Sequence, residues 1–228
     1  MTRTTNARLA GFTFLFFIVV GLTSLFLSGN SRSGEGTAEK LASIAQHATQ
    51  VRVTVLLNLL GSFSGVVLGV ALYGITRDVD HELAVLALAC RLCEGLLGAI
   101  SLRTTVGLLW LATAGAGTGA PDVATANALG AFLLMPGAPV NAVTATFFAV
   151  ASAIFSYLLL RGRMVPVPLA WLGVLASVLL VVALPLQVAG FLTGWFTSYM
   201  VMWMPMLVFE VALALWLLIK GVAAPATR

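Results

Sequence analysis

The chain has 228 residues, 60% of them hydrophobic and 9% charged, with a net charge of +4 at neutral pH. A soluble domain averages roughly 25% charged residues, so this chain has too little charge to cover a water-facing surface, and its mean hydropathy of +1.05 points to the bilayer as solvent. Basic residues scattered at the ends of apolar runs exclude a nucleic-acid-binding face, and two cysteines in one run, Cys90 and Cys93, exclude a disulfide framework.

The first apolar run, Ala10 to Leu27, follows Arg3 and Arg8. It is longer than a signal-peptide core and no A-x-A site follows it, so it is expected to remain as an anchor. Ser28 to Gly36 reads as a loop. From Thr37 onward Leu41, Ile44, Ala45 and Ala48 recur at helical spacing, with Glu39, Lys40 and Gln46 on other faces. That is a short amphipathic helix, either lying on the membrane surface or simply connecting two spans. The second run, Val53 to Ile75, carries Gly61, Gly65 and Gly69, small residues four apart that let another helix approach closely. Asn58 and Ser62 share a face with Gly65 and Gly69.

Asp80 is a good cap for a third span, Glu82 to Leu102. The apolar pattern runs on past Arg103 to Ala112, too long for one straight crossing. Arg103 is therefore expected to snorkel to the outer interface, with the rest bent or lying along it. A Gly/Ala-rich loop surrounds Pro121. Leu129 to Met135, stopped by Pro136-Gly137, is too short to span and reads as re-entrant or interfacial. The fourth span is Val140 to Leu160, followed by the basic turn Arg161-Gly162-Arg163. The fifth is Leu169 to Gly190, bent by Pro185. Phe191, Trp195, Phe196 and Tyr199 form an expected aromatic belt, and Tyr199 to Ile219 is the sixth span, closed by Lys220 and Gly221.

These spans predict an all-α polytopic bundle of six transmembrane helices forming one domain over residues 1–228. With the N-terminus inside, the inner side holds Arg3, Arg8, Arg77, Arg161, Arg163, Lys220 and Arg228, against Arg32, Lys40, Arg52 and Arg103 outside. The positive-inside rule then favours both termini on the cytoplasmic side.

Few residues here carry chemistry. Arg91 and Glu94 lie three apart near the middle of the third span, on a face continued by Gly98, Ser101 and Thr105. A mid-membrane charge costs ~2.5–3.5 kcal/mol on insertion scales, so this stripe is expected to face the bundle interior. Glu210 lies near the middle of the sixth span among apolar neighbours. The expected arrangement sets Arg91 between Glu94 and Glu210, with Asn58 near the outer edge. Two carboxylates beside one arginine imply a shared proton, with the pair titrating as a unit. Such a network equally fixes helix register without any turnover, so a structural lock and a functional site stand level.

Cys90 and Cys93 form a C-x-x-C pair, but inside a span a tight disulfide would distort the helix, so apolar packing is the expected role. Pro185 and Pro205 kink the last two helices, and Met200, Met202, Met204 and Met206 beside Pro205 are expected to pack on neighbours or lipid. His47 and His81 are far apart, and no spacing suits a metal, a phosphate loop or a nucleophile with its base. No cofactor is expected.

Four segments in order resemble a bacterial multi-pass membrane family, domain-of-unknown-function family 4386. They are the opening ARLAGFTFLFFIVVG, the motif Arg91-Leu92-x-Glu94-Gly95, the turn RGRMVPVPLAWLGVL, and the ending FEVALALWLLIKGV with Glu210, Trp216, Lys220 and Gly221. The resemblance is weakest between Arg103 and Val140. Val167 and Pro168 depart from the usual Pro-Arg step of the turn, and the cysteines are peculiar to this member. The resemblance implies a six-helix bundle in the bacterial inner membrane and points to Arg91, Glu94 and Glu210, but it implies no activity. Three readings follow. The first is a small proton-coupled carrier using Glu94 and Glu210, although no inverted repeat relates the halves. The second is a membrane subunit or regulator, binding partners or copies of itself through Gly61, Gly65 and Gly69. The third and weakest is an intramembrane enzyme.

Overall fold

The computed structural model describes residues 2–114, 119, 121–134, 139–192 and 197–225. Most of the Gly/Ala-rich loop before Pro121, the Met135-Pro136-Gly137 stop, Trp195, Phe196, the side chain of Tyr199 and Arg228 lie outside the described residues.

Among the described residues every regular element is helical. The elements are α1 (Arg3–Ser31), α2 (Thr37–Gln46), α3 (Ala48–Thr76), α4 (His81–Thr113), α5 (Val123–Leu133), α6 (Pro139–Arg161), α7 (Val167–Val188) and α8 (Met204–Ile219). Six of them, α1, α3, α4, α6, α7 and α8, are long and apolar enough to cross a membrane, α8 together with the turn before it. Their starts follow local chemistry. The Asp80 carboxylate accepts the Leu83 N–H at 3.2 Å to open α4, and Asp122 accepts the Thr125 N–H at 2.7 Å to open α5. Pro205 has no N–H to give the preceding turn, and the chain there widens into a π-helical stretch, Thr197–Trp203.

The long helices pack in chain order as a ring, α1 on α3, α3 on α4, α4 on α6, α6 on α7, α7 on α8, and α8 back on α1. The closing contact is tight, since a Cβ added at Gly11 would lie 2.7 Å from the Ala214 carbonyl oxygen. In one half of the ring Phe14, Leu72, Phe155, Phe209 and Leu213 fill the interior. Outside, Phe12, Phe26, Phe63, Leu96, Ile100, Leu175 and Ile219 are each more than 60% exposed. Side chains of this kind all round the ring make its outer wall a lipid face.

The two ends differ. Where the α3–α4 and α6–α7 turns meet the start of α1, Arg3 binds Asp78 at 2.6 Å and Arg161 binds Asp80 at 2.8 Å. Met164 is buried beneath them, and its carbonyl accepts the Ala223 N–H at 3.0 Å. At the opposite end α4 runs on past Arg103 without a break. It continues as one helix of 33 residues, ~50 Å long at 1.5 Å per residue, against a hydrocarbon core of about 30 Å. Residues 103–113 hold no proline to break it, and neighbours cover the projecting end. Leu41, Ile44 and Val51 pack on Leu108, and a Cβ at Gly130 of α5 would meet Leu41 and Thr37 at 3.0 Å. The apolar face of α2 is thus turned onto the protein, which favours the connecting reading of this helix over the membrane-surface one.

Candidate functional site

Helix α4 turns Arg91 and Glu94 inward at three-residue spacing, and both are buried, to 1% and 8% exposure. Arg91 Nη1 donates to Glu94 Oε2 at 2.9 Å, and Nη2 donates to Ser152 Oγ of α6 at 3.0 Å. The guanidinium carbon lies 4.8 Å from the centre of the Phe148 ring, one turn from Ser152. Arg91 Nε is buried without a partner. The room for this long side chain comes from Gly69 of α3, where a Cβ would sit 2.8 Å from the Cβ of Arg91.

Glu210 of α8 is buried and lies within electrostatic reach of Arg91 and Glu94. Among the described residues it forms no ion pair within 4.0 Å and no hydrogen bond. The guanidinium is therefore bonded to one carboxylate and only near the other. Phe209 and Leu213, flanking Glu210, share a narrow cleft with Arg91, Ser152 and Ser156. Asn58 is held apart from this group; its Oδ1 accepts from Ser24 of α1 at 2.7 Å.

Above the ion pair the bundle is hollow. A cavity of about 620 Å³ lies along the inner face of α3, between α1 and α4. Glu94 is at its deep end, with Gly98, Ser101 and Thr105 rising along α4, while Asn58, Gly61, Ser62 and Gly65 line the α3 side and Phe17 and Val20 the α1 side. Arg32 and Lys40 stand at the other extremity. Thr105 is eleven residues from Glu94, so the cavity runs ~16 Å along the helix.

Close helix approach shapes this wall. A Cβ at Gly95 would lie 2.8 Å from Val66 and 3.1 Å from the Ser62 carbonyl oxygen, and one at Gly98 would lie 3.0 Å from Ser62 Oγ. Of the α3 glycines, Gly69 allows a close approach, to Arg91, whereas a Cβ at Gly61 would lie 3.6 Å from Val20 and one at Gly65 4.0 Å from Phe17, ordinary contact distances at the cavity wall. All three are buried within the chain's own bundle.

Sequence reasoning missed Ser152 and Phe148. The available signal was Phe148, Ser152 and Ser156 spaced four apart on one face of the fourth span. It also missed the depth at which Arg32 and Lys40 sit, because nothing local tells a loop cation from a cavity-lining one.

The fold and the site together define a multi-pass membrane helical bundle enclosing a buried arginine–glutamate pair at the end of a polar cavity. The chain belongs to the family described as Domain of unknown function (DUF4386), which matches residues 9–221. No curated protein and no solved structure matches it.

Proposed function

We propose that the protein is a small carrier. It takes a polar solute into the cavity from the end covered by α2 and α5, and it couples that step to a proton held by Glu94 and Glu210. The observation that carries this reading is the cavity itself, about 620 Å³ and ending on Glu94. That volume lies within the 300–1,000 Å³ range of small-molecule sites. A lock needed only for helix register would be served by a packed interior. Two carboxylates are buried near one guanidinium and only Glu94 bonds to it, so charge balance in low dielectric leaves room for one exchangeable proton.

The opposite end is held by the ion pairs Arg3–Asp78 and Arg161–Asp80, so the two ends differ in what must move to admit a solute. With the termini cytoplasmic, as the distribution of Lys and Arg favours, the cavity faces outward in the bacterial inner membrane. Proteoliposomes carrying a pH-sensitive dye, under an imposed potassium diffusion potential, test the reading. Proton uptake should exceed that of protein-free vesicles and be lost in Glu94→Gln. Uptake that Glu94→Gln leaves unchanged removes the proton-coupled carrier from consideration.

A further inference from the structure

The mouth of the cavity has its own chemistry. Arg32 caps the end of α1 and reaches Thr105 of α4, donating through Nη2 to the threonine hydroxyl at 3.3 Å. Lys40, on α2, lines the same opening. Among the described residues neither cation has a carboxylate within 4.0 Å. Glu39, the acidic neighbour of Lys40, instead accepts the Glu35 N–H at 2.9 Å. Ser28 and Thr104 also line the cavity, and their hydroxyls bond to no other described residue. Burial lowers the Arg32 guanidinium from its ordinary pKa.

The geometry points to an anion site at this mouth, in which Arg32 and Lys40 bind a phosphate group while the rest of the molecule extends down the cavity toward Glu94. Two cations beside spare hydroxyl donors suit an anion with several acceptor oxygens. Arg supplies a planar fork and Lys a mobile point charge. Thr105 lies ~36 Å along α4 from His81, about one hydrocarbon thickness. Arg32 therefore sits at headgroup depth, where the phosphate can belong either to a lipid or to a water-soluble ester. The inference rests on the carrier reading only in taking the phosphate compound as the carried solute; the site itself needs no transport.

The test is calorimetric titration of the full chain in maltoside micelles, which contain no phosphate. One arm uses glycerol phosphate and the other dihexanoyl phosphatidylglycerol. Saturable binding is expected in at least one arm, weakened at least tenfold by Arg32→Gln and by Lys40→Gln, and unchanged by Arg52→Gln, an exposed cation outside the cavity. Binding of the lipid alone assigns a headgroup, and binding of glycerol phosphate assigns a soluble ester. Absence of saturable binding in both arms overturns the proposal. So does binding that is indifferent to Lys40→Gln, a change at a partly exposed residue without an ion pair among the described residues. Phosphate binding without proton flux dependent on Glu94 would retire the carrier and keep the site; such flux without phosphate binding would do the reverse.

Discussion

Arg91 is the residue on which the interior turns. It is among the largest fully buried side chains of the molecule, and one carboxylate, one hydroxyl and one aromatic ring meet its guanidinium. Replacing it with Met leaves Glu94 buried without its partner, a loss of about 3–5 kcal/mol where measured in buried pairs. Chemical denaturation in a single detergent should show that loss. Adding Glu94→Gln should return part of it, because the stranded charge and not the missing contact dominates. Equal and additive losses would mean that the two side chains do not depend on each other. The sequence showed this pair through its spacing and its cost in a membrane. It did not show that Glu210 would stop short of bonding, since that depends on where α8 lies against α4.

Within single helices, glycine position separates packing from mere tolerance. Gly11 and Gly29 both lie in α1, yet a Cβ at Gly11 would press on the Ala214 backbone at 2.7 Å, while one at Gly29 meets nothing within 4 Å. Gly29→Ala should therefore stabilise by up to about 1 kcal/mol through helix propensity. Gly11→Ala should destabilise by about 1–3 kcal/mol, because the displaced atom is backbone and cannot rotate away. Thermal unfolding of the two variants gives opposite shifts if the ring closes at Gly11, and matching shifts if it does not. The six spans were legible because length and apolarity suffice to find them. The unbroken run of α4 past Arg103 was not, because what covers its projecting end, α2 and α5, comes from elsewhere in the chain.

At the scale of the whole molecule the two ends hold by different means, apolar caps at one and ion pairs at the other. Asp80 serves twice, capping α4 and binding Arg161 across two turns. Its carboxyl sits below the ordinary value of 3.8, first because of the Leu83 N–H and then because of Arg161. A depressed folded-state pKa stabilises at pH above the unfolded-state value, and that stabilisation is lost as pH falls through the folded one. The melting temperature should accordingly drop below about pH 4 in the wild type. Asp80→Asn, which keeps the cap but not the charge, should start lower at neutral pH and change less on acidification. Parallel pH profiles of variant and wild type would show that the Asp80–Arg161 pair adds nothing to closure. The cavity, equally a property of the whole, had no sequence signature beyond the small and polar stripe on α3 and α4, since a stripe of that kind packs shut as readily as it opens.

Ring closure between α1 and α8 bears on how the molecule is made. Helices enter the bilayer in the order of synthesis, and α1 can dock at once on α3 but must wait for α8 to cover the face around Gly11. Until then Arg91 and Glu94, already inserted with α4, lie in a ring open on one side to lipid. Insertion of α8 thus seals the charged interior, so a chain cut short before α8 should be a ready substrate for membrane quality-control proteases.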